Sequence, residues 1–239
     1  MKLTIIETGQ APLAIRDRFP SYPEMFREMF ASVDGGISVE TVSVVTGEAL
    51  PDPAKAGALL YTGSPAGVYD NEPWIAPLMG FIRSAAQAGT PQVGICFGHQ
   101  IMAEALGGKV TKSEKGWGIG CHTYDIAATP GWEGAAPPAM RIAVSHQDQV
   151  VVKPPGAEVV AASAFTEFAG LNYAGFPALS FQCHPEFSPE FSQALYAARR
   201  GTSLAPEAAD AAIASLEGAC DRRFLAQWIA SFLKAASGS

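Results

Sequence analysis

Positive charge is the scarcest commodity in this sequence. Of 239 residues only 16 are Lys or Arg against 23 Asp or Glu, a formal net charge of −7, and all charged types together make up 16% of the chain. A nucleic-acid partner needs a basic face to neutralise phosphates, and this balance argues against one. No apolar run approaches the ~20 residues that span a bilayer, so no membrane partner is expected. No secretory leader is expected at the start either. Met1 to Thr8 carries one lysine and a short apolar run, and it reads as a first strand. Cys96, Cys121, Cys183 and Cys220 lie far apart with no CxxC pair, a spacing that fits reduced thiols better than a disulfide framework or a zinc site. The four histidines form no HExxH pattern, so neither a metal nor another cofactor is expected. These absences together predict a cytoplasmic protein.

What is plentiful is apolar substance, 48% of the chain, enough for one well-filled core at this length. The first half alternates strand and helix patterns. Lys2–Thr8 and Ser38–Thr46 read as strands, and Ala58–Tyr61 and Pro91–Cys96 are short apolar runs ending in Gly-rich turns, the pattern of buried parallel strands. Between them Tyr22, Met25, Phe26, Met29, Phe30 and Val33 recur at helical spacing. Trp74, Leu78, Phe81 and Ile82 do so again after Pro73, which is expected in that helix's first turn. From Lys109 to Glu186 the pattern becomes strand-rich, near His122–Ala127, Met140–Val144, Glu158–Ala162 and Ala178–Gln182, with a Pro/Gly-rich loop over Thr129–Pro138. The expected fold is a three-layer α/β/α sandwich, flavodoxin-like, with a mostly parallel sheet and added antiparallel strands. It is expected as a single domain over 1–239, with a helical C-terminal addition from about 201 that packs on the domain or forms an oligomer face.

The most informative stretch is Gln92-Val93-Gly94-Ile95-Cys96-Phe97-Gly98-His99-Gln100. An apolar strand runs into Cys96, a helix follows, and Gly107-Gly108 closes it. Glycines at 94 and 98 allow the sharp strand-to-helix turn that lifts a nucleophile out of a sheet and aims a helix N-terminus at it. The helix dipole there favours a thiolate. A buried, inert cysteine chosen for its size is the competing interpretation. A thiolate nucleophile works with a base held by a third group. His184-Pro185-Glu186 ends a predicted strand, and residues two apart on extended chain point to the same side. Glu186 can therefore reach His184, with Pro185 stiffening the pair. His99 and His122 have weaker claims, as local packing and strand residues.

These two motifs, in this order, resemble the class I (triad) glutamine amidotransferase family, especially the domain found in GMP synthase, over Lys2 to Arg200. The resemblance implies Cys96, His184 and Glu186 as the catalytic triad, and glutamine or another γ-glutamyl small molecule as substrate. Gly63-Ser64-Pro65 stands where the family has Gly-Gly-Pro, which implies an oxyanion hole from the Ser64 and Phe97 backbone N–H groups, with Gly63 beside the substrate. Serine at 64 is a departure, and it requires a backbone there outside positive φ. Gln100 matches a substrate-contacting glutamine. Ser145, His146 and Asp148 match a segment beside the substrate's amino-acid end, and Gly116-Trp117-Gly118 offers backbone contacts nearby; both segments fit simple loop roles equally well. Three functions stay open: a stand-alone hydrolase, with Gly9–Pro20 shaping a pocket for a larger substrate, a glutaminase subunit that needs a synthase partner chain, and a non-catalytic binding protein.

Overall fold

The computed structural model describes residues 1–218 and 220–238. The chain opens with β1 (Lys2–Glu7), the short α1 (Leu13–Arg16) and α2 (Tyr22–Val33), followed by β2 (Ser38–Ser43), β3 (Ala58–Tyr61), α3 (Ile75–Gln87) and β4 (Gln92–Ile95). Next come α4 (Phe97–Ala105), β5 (Lys109–Lys112), β6 (Gly118–Ile126), β7 (Ala139–His146), β8 (Asp148–Val152) and β9 (Glu158–Ala162). β10 (Gly170–Asn172), β11 (Ala178–Phe181), α5 (Pro189–Arg199), α6 (Pro206–Ala214) and α7 (Arg222–Ser237) complete it.

Nine strands form one sheet in the order β2-β1-β3-β4-β11-β10-β9-β6-β7. The first five are parallel, in the order of a doubly wound flavodoxin-like core, and every later pairing is antiparallel. Alternation along the strands builds the layers. Leu3 and Ile5 of β1 pack with Phe26 and Phe30 of α2 and with Trp228 and Ile229 of α7. Ile6 points the other way, toward Leu78 and Ile82 of α3 and Phe97 and Ile101 of α4. The sandwich is thus three-layered, α/β/α. The helical C-terminal segment supplies part of one layer, with Leu225, Trp228, Ile229 and Leu233 buried against the sheet. Its indole Nε1 also donates to Pro130 O at 2.9 Å, fixing the Pro/Gly-rich loop.

Local sequence explains the helix starts. Ser21 caps α2 by accepting from Glu24 N at 3.4 Å, and Ser188 caps α5 by accepting from Phe191 N at 3.1 Å, each with a proline in the first turn. Several boundaries differ from expectation. α3 begins at Ile75, so Pro73 precedes the helix, and the proline of its first turn is Pro77. Ser38–Thr46 is a strand only to Ser43, then a 3₁₀ turn over Val44–Thr46. The Gly9–Pro20 loop contains α1. β5, β8 and β10 carry no clear alternation; β5 and β8 pair as a separate ribbon against α4, where Glu104 accepts from Val110 N at 2.8 Å. The cysteines also hold a surprise: Cys121 and Cys220, 99 residues apart in sequence, bring their sulfurs to 3.0 Å. Among the described residues no helix is long and apolar enough to cross a membrane.

Candidate active site

β4 lies between β3 and β11, and all three run parallel, so the loops leaving their carboxyl ends converge on one edge of the sheet. Gly63 and Ser64 follow β3, Cys96 follows β4, and His184 and Glu186 follow β11. Cys96 is stitched to both neighbours: its N–H donates to Phe181 O at 2.8 Å, and Gly98 N donates to Thr62 O at 3.0 Å. Its backbone sits at φ 55° and ψ −103°, the one positive φ at a non-glycine residue among the described residues. A strained backbone held in place by its surroundings is a common mark of a functional position. Ser64 is outside that region, so a serine there carries no such strain.

The two glycines of the elbow are there for close approach. A Cβ at Gly94 would stand 2.5 Å from Gly98 O, and one at Gly98 would stand 2.1 Å from Tyr61 O. Gly63 does the same for the side chains facing it, since a Cβ there would lie 3.0 Å from His184 Cε1 and 3.8 Å from Cys96 Cβ. Phe97 is the first residue of α4, so its N–H belongs to the unpaired donors of a helix N-terminus.

His184 and Glu186 meet as the i, i+2 spacing predicts, Nδ1 to Oε1 at 2.7 Å, although β11 ends at Phe181 and the pair sits in the turn beyond. Both are buried. Phe187 stacks on the imidazole at 3.9 Å and 4°, fixing the ring plane. Burial alone would push the His184 imidazolium down. The Glu186 carboxylate, hydrogen-bonded to the ring, and the neighbouring Cys96 sulfur outweigh it and raise the pKa to about 10. The imidazole is thereby held cationic at neutral pH beside a sulfur and a carboxylate. Gln182, two residues before His184, directs Nε2 at Cys96 Sγ from 3.7 Å. Arg222 of α7 grips the turn from behind, Nε to Pro185 O at 2.9 Å and Nη2 to Glu186 O at 3.1 Å.

Cys96 opens on two cavities that share Ser64, Pro65, Ser145 and Arg199. The first, of about 310 Å³, is bounded further by Tyr69, Gln100, Lys112, Trp117, His146 and Asp148. Here Gln100 Nε2 donates to Asp148 O at 2.8 Å and to Gln182 Oε1 at 3.2 Å, so its amide N braces the wall. His146 Nδ1 lies 3.1 Å from Asp148 O, and burial pushes its pKa down to about 3, keeping it neutral. Tyr69 is raised to about 12 by desolvation and by its hydrogen bond to the Asp148 carboxylate. The second cavity, of about 290 Å³, adds His184, Gly63, Arg16, Tyr22, Phe187 and Leu195. Arg199 Nη1 donates to Ser145 Oγ at 2.7 Å on the border of the two.

Eight of the ten expected site residues, Cys96 among them, line one or both of these cavities; Phe97 follows Cys96 in the chain, and Glu186 reaches it only through His184. His99 lies apart, its Nδ1 2.7 Å from Ser180 Oγ and its pKa pushed down to about 3 by burial, and His122 is a β6 residue packed edge-on against Phe165. Gln182, Phe187, Tyr22, Arg16, Arg199 and Arg222 escaped the sequence reading. Gln182 and Phe187 had a signal, because they flank the His-Pro-Glu motif at alternate and adjacent positions. The other four come from α1, α2, α5 and α7, whose approach to the sheet edge is tertiary.

A thiol at a strained elbow, a cationic imidazole and a carboxylate in series form the arrangement used for acyl transfer through a thioester. Known proteins resemble this chain over most of its length. A model of the family "Glutamine amidotransferase class-I" matches residues 16–200. A glutamine amidotransferase-like protein of Schizosaccharomyces pombe is 33% identical over 179 residues, 74% of this chain and 71% of that one. Gamma-glutamyl peptidase 4 of Arabidopsis thaliana is 29% identical over 221 residues, 87% of each chain. The GMP synthase of Aquifex aeolicus is 34% identical over 128 residues, 54% of this chain but only 24% of the synthase. In fold, a glutamine amidotransferase from Thermotoga maritima superimposes with a TM-score of 0.76 at 19% identity, covering 100% of this chain and 98% of that one. With the matched model spanning most of its length and the S. pombe protein covering about three quarters of it, the chain belongs to the class I glutamine amidotransferase family.

Proposed function

We propose that this chain hydrolyses γ-glutamyl amide bonds as a stand-alone enzyme, releasing glutamate and an amine. The carrying observation is the elbow at Cys96 beside the 2.7 Å His184–Glu186 pair, at the convergence of three strand ends. Cys96 Sγ, having passed its proton to His184, attacks the γ-carbonyl carbon and the C=O electrons move onto oxygen. The resulting oxyanion rests on the N–H groups of Ser64 and Phe97, donors typically worth about 2.7–4 kcal/mol each in such sites. His184 gives its proton to the departing nitrogen as the C–N bond breaks. Water, deprotonated by His184, then opens the thioester. Glu186 holds the imidazole's orientation and favours its cation throughout.

The stand-alone reading is favoured by the gamma-glutamyl peptidase similarity, which extends over 87% of both chains. A second reading, a glutaminase subunit that needs a synthase partner, is favoured by the GMP synthase similarity, in which this chain spans about a quarter of the relative. Amine release by the purified chain decides between them, measured on L-glutamine and a γ-glutamyl peptide panel with Cys96→Ala as blank. Cys96-dependent turnover is expected. No turnover on any substrate, with Cys96 still readily alkylated, would reject the stand-alone reading in favour of the partner-dependent one.

Glu186→Gln should lower kcat/KM by about 10²–10⁴-fold, because the imidazole loses its orienting anion. It also has a signature in stability. A histidine whose folded-state pKa is raised to about 10 contributes stability that is fully present below its unfolded value near 6.5 and lost as pH rises through 10. The stability gap between wild type and Glu186→Gln should therefore be larger at pH 6 than at pH 10. A gap independent of pH, measured by urea denaturation, would show that His184 is not held cationic.

A further inference from the structure

The second cavity asks for an explanation. In the proposed reaction the nitrogen that leaves must take its proton from His184, so it departs on the side that His184 lines. Of the two cavities, only the second has His184 in its wall, and the first, with Gln100 and His146, is left for the acyl portion. Ammonia would need about the room of a water, whose share of liquid volume is ~30 Å³. The cavity holds about 290 Å³. That is the scale of an amino acid or a short peptide.

Its walls divide by chemistry. Ala11, Pro12, Tyr22, Phe187 and Leu195 give an apolar lining. Among the described residues Arg16, at the end of α1, is the one Lys or Arg that borders this cavity and not the first, since Arg199 borders both and the His184 cation is already matched by Glu186. Arg16 pairs with no carboxylate. Its Nε and Nη2 donate to Ala11 O at 3.0 and 2.9 Å, and Nη1 has no partner among the described residues. The backbone carbonyl thus aims the guanidinium without neutralising it. In a chain with seven more acids than bases, an unmatched guanidinium on an apolar cavity wall is a receptor for an anion, and its planar fork matches a carboxylate. Tyr22 lines the same cavity. Burial is the main influence on its hydroxyl, raising the pKa and keeping it a neutral donor, and Arg199, Glu186, Cys96 and Arg16 all act on it.

We propose that this cavity is a leaving-group subsite for an amino acid or short peptide with an apolar side chain, and that Arg16 selects leaving groups that end in a free carboxylate. This rests on the γ-glutamyl hydrolase reading. In the step it serves, the bond between Cys96 Sγ and the γ-carbonyl carbon forms and the amide C–N bond breaks. The electron pair goes to nitrogen, the proton comes from His184, and the freed amine leaves with its carboxylate on Arg16.

The test compares kcat/KM for γ-glutamyl-leucine, for γ-glutamyl-leucine amide, which has no terminal charge, and for L-glutamine. The enzymes are the wild-type chain, Arg16→Gln and Arg16→Lys. Wild type should prefer the acid over the amide by roughly 10- to 100-fold, the usual scale for a charge-assisted hydrogen bond. Arg16→Gln should collapse that ratio toward one, chiefly through KM, and Arg16→Lys should restore part of it. A wild-type ratio near one overturns the proposal, as does an Arg16→Gln loss equal on all three substrates, which would mark a purely structural role for α1. If wild type turns over none of the three while Cys96 alkylates normally, the hydrolase reading itself fails and takes the subsite with it. Turnover without acid selectivity removes the subsite alone.

Discussion

Cys96→Ala should cut turnover of any γ-glutamyl substrate by at least about 10⁴-fold, and Cys96→Gly should be equally inactive yet more stable than the alanine variant by about 1 kcal/mol. The first half follows from chemistry, because no other nucleophile lines the meeting point of the two cavities; Ser64 and Ser145 have no base positioned on them, and the Ser145 hydroxyl accepts from Arg199. The second half follows from backbone geometry. At φ 55° and ψ −103° any residue with a Cβ is strained, by ~1–3 kcal/mol, and glycine is not. Alanine keeps that strain after losing the thiol. Glycine gives up a little burial and gains flexibility in the unfolded chain, which offsets part of the benefit and leaves a net gain near the value stated. Urea denaturation of both variants beside single-turnover assays separates the two effects. A glycine variant less stable than alanine would mean that the elbow is relaxed, and that the positive φ is not a constraint tolerated for the sake of the thiol.

That conflict between function and local preference explains why the site was so legible in the sequence. Cys96 stands where the turn wants glycine, and Gly94 and Gly98 stand where a strand and a helix would each prefer a side chain. Local rules broken three times in five residues leave a mark that needs no structure to see. The His184-Pro185-Glu186 contact was legible for a different reason: both partners belong to one short segment, so their distance is set by chain geometry. The inner strands of the parallel half, such as β3 and β4, were legible because they are buried on both faces and read as short apolar runs ending near glycine, whereas the edge strand β2 is mostly exposed or half-buried. β5 and β10 were not, being three or four residues long and lacking alternation. Arg16 and Arg222 were illegible in principle. Each is an ordinary polar position on its own helix, and its importance arises only when α1 and α7 are brought to the carboxyl edge of a sheet built mostly from other parts of the chain. The Cys121–Cys220 contact belongs to the same class, since 99 residues of sequence separate two sulfurs that tertiary packing makes neighbours.

The largest loss of stability from a single methyl group should come from Gly98→Ala, about 3–5 kcal/mol, with kcat/KM falling by about 10²-fold or more in whatever protein still folds. The added Cβ would lie 2.1 Å from Tyr61 O and 2.8 Å from Tyr61 C, both backbone atoms of the neighbouring strand β3. No rotamer change relieves such a contact, so α4 must move about 1 Å away from the sheet to reach ordinary van der Waals distance. That movement breaks the 3.0 Å bond from Gly98 N to Thr62 O and carries Phe97 N–H and the Cys96 backbone with it. The elbow and one of the proposed oxyanion donors are displaced together, which is why stability and rate should fall in one variant. Gly80→Ala is the matched control. It lies inside α3, where the nearest atom to an added Cβ is the flexible Arg83 Nη2 at 3.9 Å, so the same methyl group should stabilise by up to about 1 kcal/mol through helix propensity. Opposite signs from the same substitution, read from urea midpoints, would establish that close approach at the elbow and not loss of glycine as such governs position 98. A Gly98→Ala protein as stable as wild type would mean that α4 does not sit where its glycine allows, and the geometry assigned to Cys96 would fall with it.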